Sequence, residues 1–130
     1  MRRAIPGGEE FLLKKRLFRS VRTGEVIRSD FLVAHYPPRW HYDAFRALAY
    51  FARVRRPFDE RMGETLESVK KQMEKGWMAK GSQWGGLLHF PLETTRAGRF
   101  NTFRALRILR FYDPATFQDR LQKDMPAPNC

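Results

Sequence analysis

Apolar residues recur at intervals of three and four along most of this chain, which is the spacing of one face of an α-helix. Gly24 and Gly76 follow two of these segments and are expected to end them, because glycine takes a positive φ without steric cost. Asp113-Pro114 is a typical helix start. The pattern predicts helices over residues 9–22, 40–52, 60–74, 101–112 and 114–123. The expected fold class is therefore all-α, with four to five helices.

The same spacing predicts which side chains face the core. In the first helix, Leu13, Leu17 and Val21 share a stripe. The stripes of the second and third helices are Tyr42, Phe45, Leu48, Ala49 and Ala52, and Met62, Leu66, Val69 and Met73. The fourth helix has two stripes, Phe103, Leu106 and Leu109, and Ala105, Ile108 and Tyr112. A helix that is apolar on two sides is expected to pack on two sides.

Residues 77–98 have no helical period. Trp77, Trp84 and Phe90 are interleaved there with glycines, and connections of this length are uncommon in compact domains and are often functional. We expect one long irregular loop. The predicted organisation is a flexible N-terminus over residues 1–8, a single helical repeat domain over residues 9–123 and a flexible tail over residues 124–130.

A short sequence is repeated within two of the predicted helices. Phe45-Arg46-Ala47-Leu48 recurs as Phe103-Arg104-Ala105-Leu106, and the copies follow Arg39-Trp40 and Arg99-Phe100. A repeat at this distance is typical of architectures in which helical units bury their apolar faces against one another. We expect the two copies to stack, with Arg46 and Arg104 facing a shared centre.

Charge narrows the partners but does not select one. The formal net charge is +11, which favours nucleic acid, phosphorylated ligands, anionic lipids or an acidic protein. The only cysteine is Cys130, so no internal disulfide is expected, which fits a reducing, cytoplasmic location. No stretch approaches the roughly 18 apolar residues of a membrane span.

Two segments resemble a known group of proteins. Pro37-Pro38-Arg39-Trp40-His41-Tyr42-Asp43 and Arg99-Phe100-Asn101-Thr102-Phe103-Arg104-Ala105-Leu106-Arg107 are similar to C-terminal motifs of bacterial proteins in the squalene cyclase and prenyltransferase repeat superfamily. Gln72-Met73-Glu74-Lys75-Gly76-Trp77 resembles a degenerate glutamine-tryptophan repeat. The resemblance covers most of residues 9–112 and implies a partial α/α toroid of helical hairpins around a central cavity.

The family's chemistry does not carry over with this resemblance. The cyclases protonate their substrate from an Asp-x-Asp-Asp motif, which is absent, and the zinc-binding cysteine of prenyltransferases has no counterpart except Cys130 at the terminus. Enzymatic activity is therefore left open, and no cofactor or metal site is assigned. Because a closed toroid needs more hairpins, we expect either a C-terminal fragment of a larger toroid protein or self-association through an incompletely covered apolar face at the N-terminal edge.

A mixed aromatic and basic surface is the predicted ligand site. We expect an apolar or phosphorylated small molecule to suit it, although buried rings are also what an ordinary core requires. The candidate ligand-binding residues are Trp40, Tyr42, Arg46, Trp77, Trp84, Arg99 and Arg104. Arg104 and Arg107 are three residues apart and could bind one phosphate together. Alternatively, they belong to a solvated face or form ion pairs with the glutamates of the third helix.

Three further sets of residues are candidates for other kinds of site. His41 and Asp43 are the first candidates for a catalytic acid, although Asp43 also suits a helix N-terminus. His89 and Glu93 are close in sequence but lack the ligand spacing of a metal site. The alternative function is a basic adaptor that binds nucleic acid or an acidic protein. Its candidate residues are Lys14, Lys15, Arg16, Arg19, Arg22, Arg53, Arg55 and Arg56.

Overall fold

The computed structural model describes residues 4–36, 42–81 and 96–123. Within these ranges the chain forms no strand, and its α-helices are α1 (Ala4–Lys14), α2 (Ala44–Arg53), α3 (Gly63–Gln72), α4 (Arg99–Tyr112) and α5 (Pro114–Leu121). Short 3-10 helices occur at Ser29–Leu32 and Glu60–Met62. The all-α prediction is confirmed. None of the described helices has the length and apolar character that a membrane crossing requires.

Helix α2 lies at the centre of the fold. It contacts both α3 and α4, and α4 contacts α5. Phe45, Leu48 and Phe51 of α2 are buried, and burial of such side chains stabilises a fold by about 1.5–3 kcal/mol each. The predicted stripe on and around α3 is confirmed, because Met62, Leu66, Val69 and Met73 are all buried.

The first helix differs from the prediction at both ends. It begins at Ala4, not at residue 9, and ends at Lys14. Arg16 and Leu17 then take positive φ values of 47° and 70°, which a continuing helix does not allow. The chain turns back on itself instead, with Arg19 bridged to Val26. The apolar spacing gave a wrong prediction because Leu13 and Leu17 are both buried although the helix ends between them. Val21, the third residue of the predicted stripe, is 64% exposed.

Two predicted helix starts are confirmed by their hydrogen bonds. The Asp59 carboxylate accepts from the Arg61 backbone N–H at 2.9 Å, and the Asp113 carboxylate accepts from the Thr116 N–H at 3.2 Å. Pro114 is the first residue of α5, where its missing N–H costs nothing. Gly24 has a φ of 73°, but it closes the turn between Arg19 and Val26 and does not end a helix.

Helices α2 and α4 are neighbours, but their matching sequences are not equally buried. Phe45 is 1% exposed, whereas Phe103 is 63% exposed. Arg46 is exposed and Arg104 is half-buried. The prediction that α4 packs on two sides is wrong at Phe103, because α4 contacts its neighbours through Ala105, Ile108 and Leu109. The hairpin repeat and the toroid stay predictions.

Candidate functional site

The ends of the predicted long loop are held together. The Lys80 N–H donates to the Arg96 carbonyl at 3.1 Å, and the Gly98 N–H donates to the Met78 carbonyl at 2.7 Å. The two segments of backbone approach so closely that a Cβ at Gly98 would lie 2.6 Å from Lys80 Cα. Residues 78–81 and 96–98 therefore form a stem. Trp84, His89, Phe90 and Glu93 lie outside the described residues.

A buried asparagine ties this stem to the rest of the molecule. The Asn101 side chain is fully buried, and its amide donates to the carbonyls of Ala34, Ala79 and Lys80 at 3.0, 3.1 and 3.1 Å. The next residue contributes too, because Thr102 Oγ1 accepts from the Met78 N–H at 2.9 Å. The start of α4 thus joins segments that are far apart in sequence. Sequence reasoning missed both residues, although they are polar positions inside a quoted motif.

Asp43 is the centre of a buried polar cluster. Its side chain is fully buried, and one carboxylate oxygen accepts from the Arg46 N–H at 2.7 Å, as an N-cap of α2. The other oxygen accepts from the His35 N–H and from the Arg104 guanidinium, both at 3.4 Å. Arg104 also donates to Asn101 Oδ1 at 3.4 Å. The carboxylate is therefore paired and capped, as a buried charge must be.

The two motifs that carry the family resemblance meet at this cluster. Besides the contact between Asp43 and Arg104, the rings of Tyr36 and Phe100 stack with centroids 4.0 Å apart and planes 10° apart. These contacts join the start of α2 to α4. The candidate acid Asp43 is engaged in holding helices together, and its partner candidate His41 lies outside the described residues.

An open groove lies beside the C-terminal end of α3. It has a volume of about 510 Å³ and is open to solvent. Four of its described lining residues are cationic and Glu74 is the one acidic residue among them; the described lining residues are Lys71, Gln72, Glu74, Lys75, Trp77, Ala79, Lys80, Gly81 and Arg96. The Lys75 ammonium lies 5.5 Å from the Trp77 ring centroid. The groove thus combines positive charge with an aromatic surface.

The sequence did not single out the cations of this groove. Lys71 and Lys75 read as the charged outer face of the third helix, and Lys80 and Arg96 lie near the ends of a segment without helical period. The stem brings Lys80 and Arg96 together, which no local pattern indicates. The one available signal was the density of lysines around Gly76-Trp77.

The described members of the predicted ligand surface do not line this groove together. Trp77 lines it, whereas Arg104 binds Asp43, and Arg46 and Arg99 are exposed. The Tyr42 hydroxyl donates to the Leu17 carbonyl, its ring packs edge-on against Phe31 at 4.9 Å, and burial raises the pKa of the Tyr42 hydroxyl. Trp40 and Trp84 lie outside the described residues.

Two other predicted sites are not assembled in the part of the chain that is described. The Arg107 guanidinium lies over the exposed Phe103 ring at 5.8 Å, whereas Arg104 turns to Asp43, so the two arginines do not face one phosphate. Among the described residues, no group of three or more His, Cys, Asp or Glu side chains could hold a metal ion.

Neither a protein-family model, nor a curated protein, nor a solved structure matches this chain significantly. The resemblance to the squalene cyclase and prenyltransferase superfamily therefore stays a prediction.

Proposed function

We propose that this protein is a non-catalytic helical binding module that takes a phosphorylated small molecule with an apolar or flat part. The groove beside Trp77 is the binding site. The observation that carries this proposal is the concentration of Lys71, Lys75, Lys80 and Arg96 around one half-buried aromatic ring, that of Trp77.

The charges of the groove favour an anion over a neutral ligand. The described lining contains four cationic side chains and one carboxylate, that of Glu74. A phosphate or diphosphate would therefore gain several attractive contacts. Lysine ammonium groups act as point charges toward phosphate, and arginine can bind two of its oxygens at once. The Trp77 ring offers a surface for the remainder of the ligand.

The family resemblance suggests one chemical class for the apolar part of the ligand. Members of the squalene cyclase and prenyltransferase superfamily act on isoprenoid chains, so an isoprenoid diphosphate is one compound to test. A nucleotide, with a flat base and a phosphate, is the other. Both belong to the class that the groove suits, and comparison of the two distinguishes an extended chain from a ring.

Isothermal titration calorimetry with defined compounds tests the proposal. Geranyl diphosphate and AMP serve as probes, and geraniol and adenosine are their phosphate-free partners. We expect at least one phosphorylated probe to bind. The affinity of its phosphate-free partner should be lower by about tenfold or more, because the charge-assisted hydrogen bonds to phosphate are lost. Lys75→Glu and Trp77→Ala should each weaken binding to a similar degree.

A lysine elsewhere provides the matched control. Lys15 also lies over an aromatic ring, that of Phe11 at 4.8 Å, but it does not line the groove. Lys15→Glu should leave binding unchanged. Equal affinity for the phosphorylated and phosphate-free probes, or retention of full affinity in Trp77→Ala, would contradict the proposal.

The alternative, a basic adaptor for nucleic acid, predicts a different result. A single-stranded oligouridylate should then bind more tightly than either small probe and lose most of its affinity between about 50 and 200 mM salt. Small-molecule binding that is shared between phosphate contacts and the Trp77 ring should depend much less on salt.

A further inference from the structure

Among the described residues, helix α4 presents one face that is exposed to solvent. Arg99, Phe103, Arg107, Arg110 and Phe111 are all exposed and are spaced so that they lie along the same side of the helix. Phe103 is 63% exposed and Phe111 is 36% exposed. We call these five residues the outer face of α4. Exposed apolar surface that is rimmed by polar or charged residues is typical of interaction sites.

This face is also unbalanced in charge. Within the part of the chain that the structure describes, no carboxylate lies within ion-pair distance of Arg99, Arg107 or Arg110. The Arg107 guanidinium lies over the Phe103 ring. Arginine and aromatic residues are the types enriched at protein interfaces, whereas lysine and the acidic residues are depleted there.

The helix that carries this face is firmly held from behind. Asn101, Thr102 and Arg104 bind the stem and Asp43, and Ile108 and Leu109 are fully buried. The outer face therefore needs little ordering when a partner binds, which favours affinity. At 14 residues, α4 is about 21 Å long, enough to accommodate several turns of another helix.

We propose that the outer face of α4 docks an acidic amphipathic helix of a partner protein. The partner's apolar side chains would pack beside Phe103 and Phe111, and its carboxylates would pair with the three arginines. Rows of side chains on a convex helix suit the grooves of a second helix. None of the five residues of the outer face is among the described residues that line the groove beside Trp77.

The same features argue against other occupants. A second copy of this face would bring arginines against arginines. A membrane-surface helix keeps its apolar and charged residues on opposite sides, whereas here they are interleaved. Phenylalanine cannot read base edges by hydrogen bonding, and single strands are usually bound in grooves, not along a convex helix.

A designed peptide of about 18 residues, with leucines at helical spacing and glutamates between them, is the probe. Fluorescence anisotropy with the full chain should show saturable binding, and a scrambled peptide of the same composition should bind far more weakly. Phe103→Ser and Arg107→Glu should each weaken binding about tenfold or more, as expected for central aromatic and arginine contacts. Circular dichroism should show that both variants stay folded, because the two side chains are exposed.

The control is a similar pair on another helix. Phe11 is 59% exposed with Lys15 over its ring, so Phe11→Ser and Lys15→Glu repeat the chemical changes elsewhere. They should alter affinity by less than about twofold. No saturable binding, equal binding of the scrambled peptide, or an unchanged affinity of Phe103→Ser would overturn the proposal. Tighter binding of oligouridylate or of phosphatidylserine vesicles through Phe103 and Arg107 would also overturn it.

Discussion

Asp43 is the residue on which the junction of α2 and α4 depends. It caps α2 through the Arg46 N–H and pairs with the Arg104 guanidinium, and its own side chain is fully buried. Such a carboxylate is costly to bury unless all its partners are present. The cluster therefore explains why an aspartate and an arginine occupy positions within apolar helix patterns.

Replacement of Asp43 by alanine should destabilise the protein markedly. The variant loses the cap of α2, and the half-buried Arg104 loses its carboxylate partner. Together these losses should lower the free energy of unfolding by about 3 kcal/mol and the Tm by about 10 °C. A catalytic role alone would leave the Tm nearly unchanged. Thermal unfolding followed by circular dichroism distinguishes these results.

The pairing can be isolated with a second variant. Arg104→Leu removes the other charge, so the double variant Asp43→Ala/Arg104→Leu should lose less stability than the sum of the two single changes. Strictly additive losses would show that the two side chains do not interact.

Asp59 makes stability depend on pH in the acid range. Hydrogen bonds from the Arg61 side chain, and then from its backbone N–H, lower the pKa of the Asp59 carboxyl to about 2, from 3.8. The folded state therefore holds the proton less tightly than the unfolded state. The stabilising contribution of this carboxylate is complete above about pH 4 and is lost as the pH falls through about 2.

Urea unfolding between about pH 2 and 6 should reveal this contribution. Asp59→Asn should unfold more easily than the wild type near neutral pH, and the difference should shrink as the pH falls below 4. Asp119→Asn, at a side chain that is 57% exposed, controls for the change in net charge. A difference between Asp59→Asn and wild type that stays constant across this range would contradict the assignment.

At the scale of elements, the start of α4 depends on the stem formed by residues 78–81 and 96–98. Gly98 has φ and ψ values that any residue can adopt, −88° and 102°, so its requirement is purely steric. A side chain there would meet the Lys80 backbone. The stem also positions Lys80 and Arg96 in the groove.

Gly98→Ala should therefore destabilise the protein by about 1–3 kcal/mol, as other overpacked positions do. Gly7 is the matched control. It lies inside α1, and nothing lies within 4 Å of a Cβ built on it. Gly7→Ala should raise stability by about 0.5–1 kcal/mol, because alanine favours a helix more than glycine. Thermal unfolding measures both changes, and a neutral Gly98→Ala would show that the stem is not tight.

Local patterns predicted the elements whose signals are local. The apolar stripe around α3, the caps Asp59 and Asp113, and the existence of α2, α4 and α5 all follow from spacing and helix-start chemistry. The end of α1 could not be predicted, since it depends on long-range contacts. The Tyr42 hydroxyl donates a hydrogen bond to the Leu17 carbonyl. In a continuing helix, that carbonyl would accept from a backbone N–H one turn later.

At the scale of the whole molecule, sequence similarity between α2 and α4 did not imply equivalent surroundings. Phe45 is enclosed because α2 contacts both α3 and α4, whereas Phe103 lies on the exposed side of α4. The groove was equally out of reach of local reasoning. Its cations come from α3, from the chain that follows it and from the far side of the stem, so only the tertiary fold brings them together.

Binding in the groove beside Trp77 is tested most directly by titration of the ¹⁵N-labelled protein with geranyl diphosphate and AMP, followed by amide chemical shifts. For at least one of these ligands, we expect saturable shifts concentrated on Lys71, Lys75, Trp77, Lys80 and Arg96, with little change at Asp43 and Arg104. Shifts centred on the cluster of Asp43 and Arg104, or no saturable shifts with either compound, would contradict it.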